Sequence, residues 1–338
     1  MTPLPPFAAD PMRPADLAAC QAALAVGSKS FAAAARILPR RVRAPATALY
    51  AFCRVADDAV DTEADPKASV KRLRARLDAI YANAPDDHPA DRAFAAVVAE
   101  YEMPKALPEA LIEGFEWDAE GRRYDTLDAL HAYCARVAGT VGAMMALLMG
   151  VRDAPRLARA CDLGVAMQLT NIARDVGEDA RNGRIYLPLN WLREAGVEPG
   201  AWEAAPAYTP AVQGVVHRLL ADADALYARS EAGIAALPAD CRSSIRAAGR
   251  IYAEIGRLVR GPDFDPVVQR AIVPRGRKMT LLAQAMLPRW ARVTSLGLPP
   301  LDATAYLVRA VPGQGGNSLD ERIEWMIGVL ARVEGRAA

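Results

Sequence analysis

Tyr50-Ala-Phe-Cys-Arg54-Val-Ala-Asp57-Asp58-Ala-Val-Asp61 is the stretch from which the rest of the chain can be read. On a helix turning about 100° per residue, Tyr50, Arg54, Asp57, Asp58 and Asp61 fall within about 100° of arc. Leu49, Phe52, Cys53, Ala56 and Val60 take the other side. Asp57 and Asp61 are one turn apart, roughly 6 Å along the axis. Three carboxylates so close repel one another, and Asp is a poor residue for a helix interior. A helix carrying that cost calls for a cation.

The same unit returns in Gln168-Leu-Thr-Asn171-Ile-Ala-Arg174-Asp175-Val-Gly-Glu178-Asp179. Asn171, Asp175 and Asp179 climb one stripe a turn at a time. Gln168 lies beside it, and Arg174 and Glu178 flank it. One Asp-x-x-x-Asp on a helix is an ordinary solvated face. Two copies, each in otherwise apolar helix with an Arg nearby, predict an oxygen-lined cage if they face each other across a bundle. Hard oxygen donors without His or Cys suit Mg2+, which keeps positions for water and phosphate. Such a site fits a diphosphate substrate.

Outside these two stretches strand signals are weak, and Ala, Leu, Arg and Glu recur at helical spacing. Pro and Gly clusters cut the chain into about ten helices, with breaks expected at 38–45, 84–89, 103–108, 152–155, 182–199, 205–210, 261–266, 297–300 and 312–317. Val137 to Val151 reads as a buried helix, too short to span a bilayer. The expected fold is all-α, one large domain over 15–338 behind a Pro-rich, partly disordered lead-in over 1–14. That lead-in does not read as a secretory signal.

The chain has 338 residues, 52% hydrophobic and 24% charged, with a formal net charge of +1. That composition excludes disorder and argues against a nucleic-acid partner. Five scattered cysteines and three histidines show no metal-ligand spacing, so the cysteines read as packing residues in a reducing compartment.

With these residues in view, the sequence resembles the head-to-head prenyl synthases, the squalene and phytoene synthases, and within them the bacterial phytoene synthases. The resemblance runs from about Ala18 to about Met286. It includes Gly27-Ser-Lys-Ser-Phe31, Tyr133-Cys-Ala-Arg-Val-Ala-Gly-Thr-Val-Gly142, Asn182-Gly-Arg-Ile-Tyr-Leu-Pro188 and the region of Tyr252, Arg270 and Lys278. It implies an isoprenoid-synthase fold around a central cavity, with Asp57, Asp61, Asn171, Asp175 and Asp179 as ligands of Mg2+ (or Mn2+). Arg54, Arg174, Arg270 and Lys278 match diphosphate clamps, with Ser28 and Gln168 beside them. Tyr50, Tyr133 and Tyr252 match cavity tyrosines, Tyr133 among the catalytic residues. Phe31, Val137, Ala138, Val141, Gly142 and Met167 match the lining of the isoprenoid chains.

The implied reaction joins two geranylgeranyl diphosphates to phytoene through a cyclopropylcarbinyl diphosphate, the first step of carotenoid biosynthesis. No NADPH is expected. The alternatives are a squalene or dehydrosqualene synthase acting on two farnesyl diphosphates, a terpene cyclase, and a non-catalytic relative acting in assembly. The symmetric acidic pair weighs against the cyclase, and the intact motifs weigh against the assembly factor. The expected location is cytoplasmic, with peripheral membrane contact at a basic edge of Arg36, Arg40, Arg41 and Arg43. Downstream carotenoid enzymes are the other partners expected.

Overall fold

The computed structural model describes residues 12–27, 37–62, 65–287 and 295–312, with the backbone alone for 60–62. Ser28, Phe31, Arg36, the Asp61 side chain and most of the Pro-rich lead-in therefore lie outside the described residues. Within them, no strand interrupts the helices. In order these are α1 (Pro14–Gly27), α2 (Arg40–Thr62), α3 (Pro66–Tyr81), α4 (Pro89–Glu100), α5 (Ala106–Ala119) and α6 (Leu127–Cys134). A single π turn, Ala135–Gly139, leads into α7 (Thr140–Leu148). Then come α8 (Ala154–Arg181), α9 (Leu189–Glu194), α10 (Pro199–Ala204), α11 (Pro210–Ala236), α12 (Ala239–Val259), α13 (Arg275–Met286) and α14 (Ala305–Ala310).

Many of the starts follow one rule. A polar residue caps the first turn and Pro follows it, where the missing N–H costs nothing. Asp65, His88, Asp153 and Thr209 each accept a first-turn backbone N–H from their own side chains.

Two expected features differ. The break placed over 38–45 is instead the start of α2, which runs through Pro45. Pro45 cannot donate to the carbonyl of Arg41. The Tyr101 hydroxyl donates to that carbonyl instead, at 3.4 Å, so the turn survives. The helix expected over Val137–Val151 is divided between the π turn and α7, and the chain turns away at Gly150, with φ at +80°. A π turn inserts one extra residue, which resets the side-chain phase between α6 and α7.

Helix α8, 28 residues and about 42 Å long, is the hub. It packs against α7, α11, α12 and the π turn. Close approach comes from glycine. A Cβ on Gly142 would stand 2.2 Å from the carbonyl oxygen of Ala160, and one on Gly164 2.3 Å from that of Ala138. At the other end of α8, Gly177 accepts the segment 260–274, a strap laid across the helix. There a Cβ would meet the Val267 carbonyl at 2.2 Å, and Arg181 donates to the same oxygen at 2.7 Å.

Near its N-terminus α8 carries a buried ion pair, Arg159 with Asp162 at 2.7 Å, which Arg229 of α11 joins at 3.0 Å. Burial pushes the Asp162 carboxyl up and the Arg159 guanidinium down, and each partner opposes that drift. Arg159 also donates to the carbonyls of Ser295, Leu298 and Pro299, tying that segment to the hub.

Gly142→Ala should lower unfolding stability by about 1–3 kcal/mol, the cost of overpacking a tight contact. At Gly214 on α11 an added methyl would meet nothing within 4 Å. Gly214→Ala should therefore raise stability by roughly 0.5–1 kcal/mol through helix propensity alone. Urea denaturation measures both, and effects of the same sign would contradict the close approach of α7 to α8.

Candidate active site

The acidic half of α8 and the acidic end of α2 open on one polar mouth. From α2 it takes Tyr50, Cys53, Arg54 and Asp57; from α5, Leu111, Phe115 and Asp118. Tyr133, Val137 and Val141 form another wall, α8 adds Gln168, Asn171 and Arg174, and α12 adds Tyr252 and Ile255. The strap closes it with Arg270–Val273, and Lys278 stands beside them.

Behind the mouth runs an apolar tunnel. Val137, Val141, Gln168, Asn171 and Tyr252 line both, so the two are one channel. The tunnel adds Ala138, Gly142, Met145, Leu163, Gly164, Met167, Ile245 and Ile251. On α8 its lining recurs at Arg156, Arg159, Ala160, Leu163, Gly164, Met167, Gln168 and Asn171, a stripe at alternating spacings of three and one. From Asn171 to Arg156 that stripe spans about 22 Å of helix. Gly142 lines the channel with backbone and serves packing against α8.

The charges of the mouth are already paired with one another. Arg54 donates to Asp58 at 3.0 Å and Asp57 at 3.3 Å. Arg174 donates to Asp175 through Nε at 2.8 Å and again through Nη2. Arg270 reaches Asp175 from the strap at 2.9 Å and lies 3.6 Å from Glu178. Two guanidinium groups thus sit on one carboxylate. Asp179 does not line the mouth: it sits in a separate closed space with Arg184, Tyr186 and Trp202, where burial and then the neighbouring Asp175 push its carboxyl up to about 8, with Arg184 opposing.

Asn171 donates to the Gln168 side-chain oxygen at 3.4 Å, and its own Oδ1 is buried with no hydrogen-bond partner. A buried oxygen acceptor left open in this way, in a mouth that also holds Asp57 and Asp118, fits a hard divalent cation. Among the described residues no three His, Cys, Asp or Glu side chains already converge as a ligand set. Asp175 is turned to arginine.

Sequence reasoning missed Asp118. Its two oxygens accept the hydroxyls of Tyr133 at 2.8 Å and Tyr186 at 2.7 Å, and the two rings stack with centroids 5.1 Å apart. Burial first, and then Asp118, hold the Tyr133 hydroxyl well above its ordinary value. Burial also raises Tyr50 and Tyr252, with Arg54 and Arg174 respectively opposing. His131 pairs with Asp222 at 2.6 Å, away from the mouth. All five cysteines are free thiols, and burial pushes the Cys53 thiol up to about 12.

The chain is similar to known proteins along most of its length. The squalene/phytoene synthase family model matches residues 24–278. The phytoene synthase of Rhodobacter capsulatus is 51% identical over 333 residues, covering 95% of this chain and 97% of that protein. A 15-cis-phytoene synthase from Paracoccus is 45% identical over 270 residues, covering 77% and 87%. Among solved structures, a dehydrosqualene synthase in complex with ligand superposes with a TM-score of 0.72 at 31% identity, covering 80% of this chain and 95% of its own. A squalene synthase from Alicyclobacillus acidocaldarius gives 0.68 at 25% identity, covering 73% and 93%. The all-α architecture is the isoprenoid-synthase fold of these neighbours. An arginine-rich, carboxylate-lined mouth opening on an apolar tunnel, carried by a chain this similar along its length, makes the protein a prenyltransferase of the squalene/phytoene synthase family.

Proposed function

We propose that the chain joins two geranylgeranyl diphosphates head to head, through a prephytoene-type cyclopropylcarbinyl diphosphate, to give phytoene, with residues 15–338 acting as one catalytic unit. The observation that carries this reading is the continuous channel. Its mouth holds paired guanidinium and carboxylate groups, and its tunnel follows α8 inward for about 22 Å.

The residues act in order from mouth to floor. Arg54, Arg174 and Arg270 exchange their carboxylate partners for diphosphate oxygens, since a guanidinium fork fits phosphate as well as carboxylate. Lys278 adds a point charge. The carboxylates so released, Asp57 and Asp175, together with Asp61, Asp179 and the open oxygen of Asn171, are the residues that would hold Mg2+ (or Mn2+). When bound, the ion supplies Lewis acidity that eases departure of the diphosphate.

The donor's C1–O bond breaks and its electron pair leaves with the diphosphate. The allylic cation is then attacked by the C2=C3 bond of the second substrate, and proton loss closes the cyclopropane. Apolar side chains such as Val137, Val141 and Met167 keep water from the cation. Tyr133 Oη gives its own proton to Asp118 in a hydrogen bond, which leaves its lone pairs for a departing proton. Asp118 is then the carboxylate toward which that proton is relayed. Ionisation of the cyclopropyl diphosphate, rearrangement and a second proton loss give the central double bond, so no NADPH enters. The enzyme works at the cytoplasmic face of the membrane, in peripheral contact with it, and passes phytoene to the next carotenoid enzyme.

Incubation with geranylgeranyl diphosphate and Mg2+, without NADPH, should yield a C40 hydrocarbon by mass spectrometry. A C30 product made in preference from farnesyl diphosphate would move the chain to the dehydrosqualene branch. Asp57→Asn and Asp175→Asn should each lower kcat by about 100-fold or more while the unfolding midpoint stays near wild type. EDTA should stop turnover and added Mg2+ restore it, and a full rate in EDTA would overturn the metal assignment. Ala138→Leu narrows the tunnel without the backbone clash of Gly142, and should shift the kcat/KM ratio toward the shorter substrate by about tenfold.

A further inference from the structure

Among the described residues, seven large apolar side chains stand well out in solvent, and five fall within one stretch: Val268, Ile272, Met279, Met286 and Leu287. These five leave between 63% and 75% of their surface uncovered. Single exposed hydrophobics need no explanation, but a contiguous set marks an interaction surface.

The stretch is strap and helix together. On α13, Leu281 and Ala285 are buried, on the side toward α12. Met279 and Met286, two turns apart, face outward with the half-buried Leu282 between them and Arg275 at their edge. From Val268 to Leu287 the sequence has four basic residues, Arg270, Arg275, Arg277 and Lys278, and no acidic one, in a chain of net charge +1. This face also meets the channel, because Ile272, Val273 and Lys278 line the mouth itself.

We propose that this face, Val268–Leu287, is the surface on which the enzyme rests against an anionic lipid bilayer, with the mouth turned to the lipid. The proposal deepens the peripheral contact given above and rests on the hydrocarbon product of that reading. Amphipathic helices with a basic edge lie in the interface plane, their apolar side chains sunk below anionic headgroups. No helix among the described residues is long and apolar enough to cross the membrane, so contact of this kind is what the face can make. A second copy fits less well. Arg270 is paired with Asp175 and Arg277 with Glu254, but a two-fold contact through the same patch would still set Arg275, at the edge of the two methionines, against its own copy. Met279 and Met286 are also flexible enough to settle into disordered acyl chains. The basic edge anticipated at the start of α2 contributes less, because among the described residues only Ile37 stands beside it as an exposed large apolar side chain, at 36%.

The test is sedimentation of the full chain with vesicles of phosphatidylglycerol and phosphatidylcholine in equal parts, against phosphatidylcholine alone. Wild type should partition onto the anionic vesicles. The double variant Met279→Asp, Met286→Asp should lose about tenfold in partition, and Arg275→Glu should lose the preference for phosphatidylglycerol. In detergent micelles both variants should turn over prenyl diphosphate at the wild-type rate, which separates the surface from the chemistry. Wild type that ignores both vesicles, or a double variant that partitions like wild type, would overturn the proposal. So would a concentration-dependent dimer in analytical ultracentrifugation that the double variant abolishes, since a second copy would then cover the face. Absence of turnover in wild-type micelle assays would count against the activity reading alone.

Discussion

Asp175, gripped by Arg174 from its own helix and by Arg270 from the strap, is the contact on which the site turns. Helix α8 has to be apolar along the tunnel and acidic at its end. Carboxylates placed next to a dry cavity repel one another and lose solvation. The arginines offset both costs, and they do so with the groups that a diphosphate also binds. In the proposed reading, folding and substrate binding therefore compete for the same cations: the charges are paired internally in the fold, and the substrate would take over half of each pair. Asp179 shows the same cost less fully relieved: burial and its acidic neighbours hold its proton, with only Arg184 set against them.

The strap makes this arrangement a matter of backbone as well as charge. Arg270 reaches Asp175 because residues 260–274 lie directly on α8, and they lie there because position 177 has no side chain. The same device is used twice more at the far end, where Gly142 and Gly164 bring α7 and the π turn onto α8 to form the tunnel wall. The tunnel's inner end reaches Arg159, which shares Asp162 with Arg229 and through its own hydrogen bonds fastens residues 295–299. A buried pair of this kind adds little net stability, but losing one member strands the other, at a cost of about 3–5 kcal/mol.

What could be read from the sequence depended on whether a residue carried a visible cost. The paired aspartates were legible because carboxylates a turn apart are expensive, and Arg54 and Arg174 because they stand within a turn of them. Asp118 was not. It is one of four acidic residues on α5, with nothing in the local pattern to set it apart from Glu109, Glu113 and Glu116, and its meaning comes from Tyr133 and Tyr186, 15 and 68 positions away. Nor were Met145, Leu163 or Ile245 distinguishable as tunnel lining, since an apolar residue at helical spacing looks the same whether it faces a neighbour or a void. Pro45 misled for a similar reason, because the hydroxyl that accommodates it belongs to Tyr101 on another helix.

The polarity of α8 also bears on which bond forms. The mouth carries Arg54, Arg174, Arg270 and Lys278, the lining turns apolar away from it, and the two arginines at the far end, Arg156 and Arg159, are each paired with an aspartate. In the proposed reading, two prenyl diphosphates that share this channel both keep their charged ends at the mouth, where Arg54, Arg174, Arg270 and Lys278 stand. Both C1 atoms then lie near the same pole, with both hydrocarbon tails in apolar surroundings. A head-to-tail union would require one diphosphate to move toward Met145 and Met149, where nothing cationic lines the wall until Arg156 and the already committed Arg159. On the same reading, the hydrocarbon left once both diphosphates have gone has no group to hold at the mouth, whose rim includes the apolar Ile272 and Val273.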